Sequence, residues 1–68
     1  MVKTSQVLRA LERAGFQEVD RAGSHVKLRR GSQIAIVPDH GGRDMPPGTL
    51  RSILKQAGIS ADEFRSLL

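Results

Sequence analysis

Within Gly23-Ser24-His25-Val26-Lys27-Leu28-Arg29, a histidine and two cations occupy alternate positions, and the residues between them are apolar. The chemistry open to such a trio is proton transfer beside a phosphate. RNA carries its own nucleophile, the 2′-hydroxyl, so its cleavage needs only proton transfer and stabilisation of a charged phosphorane. Histidine titrates near neutrality and suits the first task. Lysine or arginine nearby suits the second, by holding the phosphate and offsetting its developing charge. A metal-free ribonuclease can therefore be built on one strand from His25, Lys27 and Arg29. The plainer alternative is that His25 is an exposed histidine without a chemical role and that Lys27 and Arg29 form a solvated face. Arg9, Arg13, Arg51 and Lys55 are read as solvating surface in the same way.

Other chemistries find less support. His25 and His40 are the two histidines and the chain has no cysteine, so a metal site would have to recruit Asp39, Asp44 or other acids through folding alone. No metal or cofactor is expected. Gly41-Gly42 is a turn signal, and neither a phosphate-binding loop nor a dinucleotide fingerprint is present. No base and acid are assembled around Ser24 or Ser32 for serine hydrolysis. His40 follows Pro38 by two positions and is read as a residue that caps or orients a loop.

Composition narrows the partners. Eleven Lys or Arg oppose seven Asp or Glu, a net charge of +4 that favours polyanions through phosphate neutralisation and counterion release. Two Phe, without Trp or Tyr, argue against single-strand binding by base stacking. Recognition of RNA by its backbone or shape remains open. A chain of 68 residues has room for one domain and one core, taken as residues 1–68. The opening Met1-Val2-Lys3-Thr4-Ser5-Gln6 lacks the apolar run of a signal peptide, and no stretch approaches membrane-spanning length. With cysteine absent as well, a soluble cytoplasmic protein is expected.

The elements that must position these residues follow from periodicity. Val7, Leu8 and Leu11 fall at helical spacing within Thr4–Ala14, with Thr4 or Ser5 as cap and Gly15 as stop. Phe16–Asp20 reads as a short strand, and Ala22-Gly23 as a turn into a strand from Ser24 to Arg29. Alternation there sends Val26 and Leu28 to one face and His25, Lys27 and Arg29 to the other. Arg30-Gly31-Ser32 carries hairpin chemistry, and Gln33–Val37 is a third strand closed by Pro38. Asp39–Pro47 reads as a loop. Leu50, Ile53, Leu54 and Ala57 then mark a helix over 47–57, stopped by Gly58. Ser60-Ala61-Asp62-Glu63 opens a last short helix that offers Phe64, Leu67 and Leu68 to the core. The order α-β-β-β-α predicts an α+β domain, a three-stranded antiparallel meander with both helices on one face. His25, Lys27 and Arg29 lie on the other face, toward solvent.

Four segments resemble the HicA (YcfA-like) family of toxin ribonucleases. They are Leu11-Glu12-Arg13-Ala14-Gly15-Phe16, Gly23-Ser24-His25-Val26, Val37-Pro38-Asp39-His40, and Gly48-Thr49-Leu50-Arg51-Ser52-Ile53-Leu54-Lys55-Gln56-Ala57-Gly58. Each is weak alone, but in this order and spacing they are specific, and they extend from about Lys3 to Ile59. The resemblance implies a fold like a double-stranded-RNA-binding domain. It also implies metal-independent cleavage of messenger RNA by a toxin that a HicB-type antitoxin restrains. Transferred by position, the catalytic residue is His25. Ser24 is placed to orient the histidine or a phosphate, and Lys27 and Arg29 to bind RNA. No catalytic role transfers to His40.

Two other functions use the same features. A non-catalytic RNA-binding module would bind in a salt-sensitive way without cleaving, and would tolerate glutamine at position 25. An interaction module would use the basic face to dock an acidic partner.

Overall fold

The computed structural model describes residues 2–68; Met1, the first residue of the opening stretch read above, lies outside them. The order is α1 (Thr4–Arg13), β1 (Gln17–Ala22), β2 (His25–Arg30), β3 (Gln33–Pro38), α2 (Pro47–Ala57) and α3 (Ala61–Leu67). The strands form one antiparallel sheet in the order β1-β2-β3, so the α+β meander expected from the sequence is present. The layout is that of a double-stranded-RNA-binding domain, with the helical layer on one side of an open sheet.

The core lies between sheet and helices. Val7, Leu11, Phe16, Val26, Leu28, Val37 and Ile53 are almost wholly buried. Burying an aliphatic or aromatic side chain of this size contributes about 1.5–3 kcal/mol. In so small a domain, a few such contacts decide whether it folds.

Helix ends explain the chain's sharp changes of direction. At the end of α1, Phe16 N–H donates to the Leu11 carbonyl and Gly15 N–H to that of Glu12, both at 3.0 Å. Gly15 sits at φ +102°, the left-handed turn this motif uses. The end of α2 repeats the arrangement, with Ile59 N–H on Leu54 and Gly58 N–H on Lys55. The start of α1 differs from expectation. Lys3 is the capping position, its N–H donating to Gln6 Oε1 at 2.8 Å. Thr4 is buried inside the first turn instead of capping it.

Two local boundaries also shift. β1 pairs Ala22 with His25, so the two-residue turn is Gly23-Ser24, and β2 begins at His25. Pro38 is the last residue of β3, paired with His25, which an edge strand tolerates because no ladder bond is lost. A register shift between Glu18 and Asp20 leaves Val19 as an extra residue in β1. Such a bulge at an edge strand twists it and disfavours pairing with another chain.

The segment between β3 and α2 is anchored at several points. Lys3 and Asp44 face each other across an antiparallel backbone bridge. Met45 N–H donates to the Val2 carbonyl at 2.8 Å, and Thr4 N–H to that of Arg43 at 3.3 Å. Met45 itself enters the core, which the sequence reading of 39–47 as a loop did not anticipate.

Candidate active site

The pairings of β2 define three rungs on the open face of the sheet. Ala22, His25 and Pro38 form the first, Asp20, Lys27 and Ile36 the second, and Gln17, Arg29 and Ile34 the third. Directly paired residues in antiparallel strands share a face, and alternate residues of one strand lie about 7 Å apart. His25, Lys27 and Arg29 are all exposed there, while Val26 and Leu28 are buried behind them. Lys27 and Arg29 make no ion pair among the described residues, leaving their charge free for an anion. Ser24 is half-buried in the turn, and its carbonyl accepts from Asp39 N–H.

His25 is not on a flat surface. It lines a groove of about 440 Å³ between the β3 edge and α2, walled by Ile36 and Pro38 on one side and Gly48, Thr49, Ser52 and Gln56 on the other. Lys27 and Arg29 lie outside the groove, further along the strand. The far wall exists because α2 runs beside the edge strand. Gln56 Oε1 accepts the outward N–H of Ile36 at 3.1 Å, and Gln56 Nε2 reaches Ser52 Oγ at 3.4 Å. Thr49, Ser52 and Gln56 recur at helical spacing, so they form one polar stripe on α2. Sequence reasoning missed this wall, although the stripe was visible in the sequence.

The start of α2 forms part of the groove wall. Pro47 is in the first turn of α2, which contains no acidic residue. The N–H groups of Gly48 and Thr49 have no backbone acceptor among the described residues. The amino-terminal end of a helix carries a partial positive charge that complements phosphate.

Beyond Pro38 the chain is fixed by Asp39. Its carboxylate accepts from Arg21 Nη1 at 3.0 Å and from Gly41 N–H at 3.0 Å. Arg21 also reaches Glu18 at 3.0 Å. The guanidinium, and then the Gly41 N–H, hold the Asp39 carboxyl below the usual carboxylate range; the two carboxylates raise the pKa of Arg21 in turn. Asp39 therefore fills the loop-orienting role the sequence suggested for His40. The His40 side chain makes no hydrogen bond among the described residues and lines a second cavity of about 260 Å³, together with Thr4, Arg43, Met45 and Thr49. No three His, Cys, Asp or Glu side chains converge among the described residues. No described helix is long and apolar enough to cross a membrane.

An exposed histidine beside a groove, on a basic α+β domain of the double-stranded-RNA-binding type, defines the class by fold and site. Comparison with known proteins narrows the class. The family model described as "HicA toxin of bacterial toxin-antitoxin" matches residues 4–59. A curated protein of Pseudomonas fluorescens (strain Pf0-1), named "Probable mRNA interferase HicA", is 34% identical over 58 residues, covering 85% of this chain and 97% of that protein. The chain belongs to the HicA toxin family.

Proposed function

We propose that this HicA-family toxin is an endoribonuclease that cleaves messenger RNA with His25 as its general base. The observation that carries this reading is the position of His25, exposed beside a groove and on the same sheet face as two unpaired cations. The name of the Pseudomonas relative supports both the activity and the substrate.

In this reading the backbone of an RNA strand lies along the open face, with Lys27 and Arg29 on its phosphates and the scissile linkage at the groove. His25 removes the proton of the 2′-hydroxyl, and the oxygen attacks the adjacent phosphorus. The 5′-oxygen leaves and takes up a proton, giving a 2′,3′-cyclic phosphate and a 5′-hydroxyl end. A positioned proton-transfer group of this kind contributes about 10²–10⁴-fold. Ser24, in the turn before His25, orients the imidazole or a flanking phosphate. None of these steps requires a metal ion. The pairing that family membership implies is with a HicB-type antitoxin, and the site of action is the cytoplasm.

The test is induced expression of the wild type and His25→Ala, with growth and transcript integrity followed together. Purified protein is assayed in parallel on RNA with EDTA present. Growth arrest and cleavage are expected for the wild type and not for the variant, which keeps its fold because His25 is exposed. Undiminished cleavage by folded, nuclease-free His25→Ala overturns the assignment. RNA binding without cleavage by the wild type would instead indicate a binding module.

A further inference from the structure

Transesterification of RNA moves two protons, one off the 2′-hydroxyl and one onto the departing 5′-oxygen. His25 accounts for the first. The groove it lines and the cavity lined by His40 share two wall residues, Pro38 and Thr49. One histidine thus lines each of the two cavities.

The backbone that carries His40 is held on both sides. Asp39 N–H extends the β2–β3 pairing by bonding the Ser24 carbonyl, and the Asp39 carboxylate is gripped by Arg21 and Gly41. Further on, Arg43 and Met45 are tied to Thr4 and Val2. The imidazole itself is exposed and makes no hydrogen bond among the described residues. Arg43 and Asp44 line the same cavity; Asp44 faces Lys3 at 3.5 Å, and Arg43 makes no ion pair among the described residues, which leaves a cation for a phosphate flanking the cleaved bond. The loop that carries His40 is already ordered by Asp39, so its stability does not depend on a hydrogen bond from the imidazole.

Building on the reading of His25 as general base, we propose that His40 is the general acid of the same reaction. His40, in its protonated form, gives its Nε2 or Nδ1 proton to the 5′-oxygen as the P–O5′ bond breaks. His25 holds the proton taken from the 2′-hydroxyl. The products are the cyclic phosphate and a neutral 5′-hydroxyl, and exchange with solvent returns both imidazoles to their starting states. Thr49, on the shared wall, lies between the two proton-transfer steps and offers its hydroxyl to a non-bridging phosphate oxygen.

The experiment uses the full chain as wild type, His25→Ala, His40→Ala and His40→Gln. The cut site is first mapped on a transcript with the wild type. An RNA oligomer containing that site is then made in two forms, one with the natural 5′-oxygen and one with sulfur in its place. A thiolate leaves without protonation, so it bypasses the acid but not the base. The expected result is a fall of about 100-fold or more for both His40 variants on the oxygen-linked oligomer, with rates within a few-fold of wild type on the sulfur-linked one. His25→Ala fails on both. Wild-type rates for the His40 variants on the oxygen-linked oligomer overturn the proposal, as does an equal loss on both oligomers, which would mark a positioning role. Either outcome leaves the reading of His25 intact. That reading falls separately, if His25→Ala cleaves the oxygen-linked oligomer normally.

Discussion

The guanidinium of Arg30 lies over the ring of Phe16, 4.7 Å from its centroid. From there it donates to the Ala14 carbonyl at 2.9 Å and the Ala57 carbonyl at 3.5 Å, and to Gln33 Oε1 through Nη2 at 2.9 Å. One side chain from the end of β2 thus meets the carboxyl-terminal ends of α1 and α2, where the helix dipoles favour a cation. Arg30→Met should keep much of the apolar stem and lose every polar contact. Hydrogen bonds of charged groups contribute about 1.5–3 kcal/mol, so the loss is expected to be roughly 2–4 kcal/mol. In a domain this size that lowers the melting temperature by about 10 °C or more. Arg30→Lys should recover little of it, because an ammonium cannot span the three acceptors. Thermal denaturation followed by circular dichroism reads both.

Asp39 sets an acid limit on stability. Its carboxyl is held below its ordinary pKa by Arg21 and the Gly41 N–H in the folded protein. Such a group contributes its full stabilisation above the unfolded-state pKa, near 4, and loses it as the pH falls through the lower folded value. Asp39→Asn should therefore be less stable than wild type at pH 6 to 7, with the gap closing as acid is added. Urea denaturation at a series of pH values measures that gap, and a constant difference from pH 7 to pH 2 would contradict it.

Lys27 and Arg29 are predicted to act through phosphate and not through the reacting atoms. Lys27→Ala and Arg29→Ala should each weaken RNA binding across sequences and lower the slope of log affinity against log salt by about one. Cleavage at saturating RNA should fall far less than in His25→Ala. Unchanged salt slopes would place the RNA elsewhere on the surface.

Gly58 is fixed by geometry. Its φ is +70°, and a Cβ there would come within 2.5 Å of Gln33 Nε2, whose side chain Arg30 already holds. Gly58→Ala should cost about 1–2 kcal/mol for the left-handed backbone alone. Gly42→Ala, which meets nothing within 4 Å and has no positive φ, should change stability by less than about 0.5 kcal/mol. Comparing the two melting temperatures separates a conformational requirement from glycine content.

The parts of this fold that were legible are those written in short-range periodicity. Val26 and Leu28 fall between His25, Lys27 and Arg29, so the burial alternation of β2 could be read directly. The stripe of Ile53, Leu54 and Ala57 likewise placed one face of α2 in the core. What could not be read depends on which elements meet. Met45 stands among Gly, Pro and charged residues that signal a loop, and only its bond to Val2 brings it inward. Arg30 lies at a hairpin and looks like surface charge until two helix ends converge on it. Ser24 reads as the first residue of a strand, but the Ala22–His25 pair puts it in the turn. The far wall of the groove was hidden similarly: Thr49, Ser52 and Gln56 form an ordinary solvated stripe unless α2 lies along β3.

The bridge between Lys3 and Asp44 has a practical bearing on handling the protein. Val2 and Thr4 are the backbone partners of Met45 and Arg43, in the segment that follows His40. An affinity handle fused ahead of Val2 can tug on that segment and mask or mimic a defect in turnover. A handle following Leu68 joins the chain where Arg13 of α1 grips the Leu67 carbonyl, among none of the residues lining the His25 groove or the His40 cavity. Rate comparisons among variants are best made with the purification handle at that end, or removed.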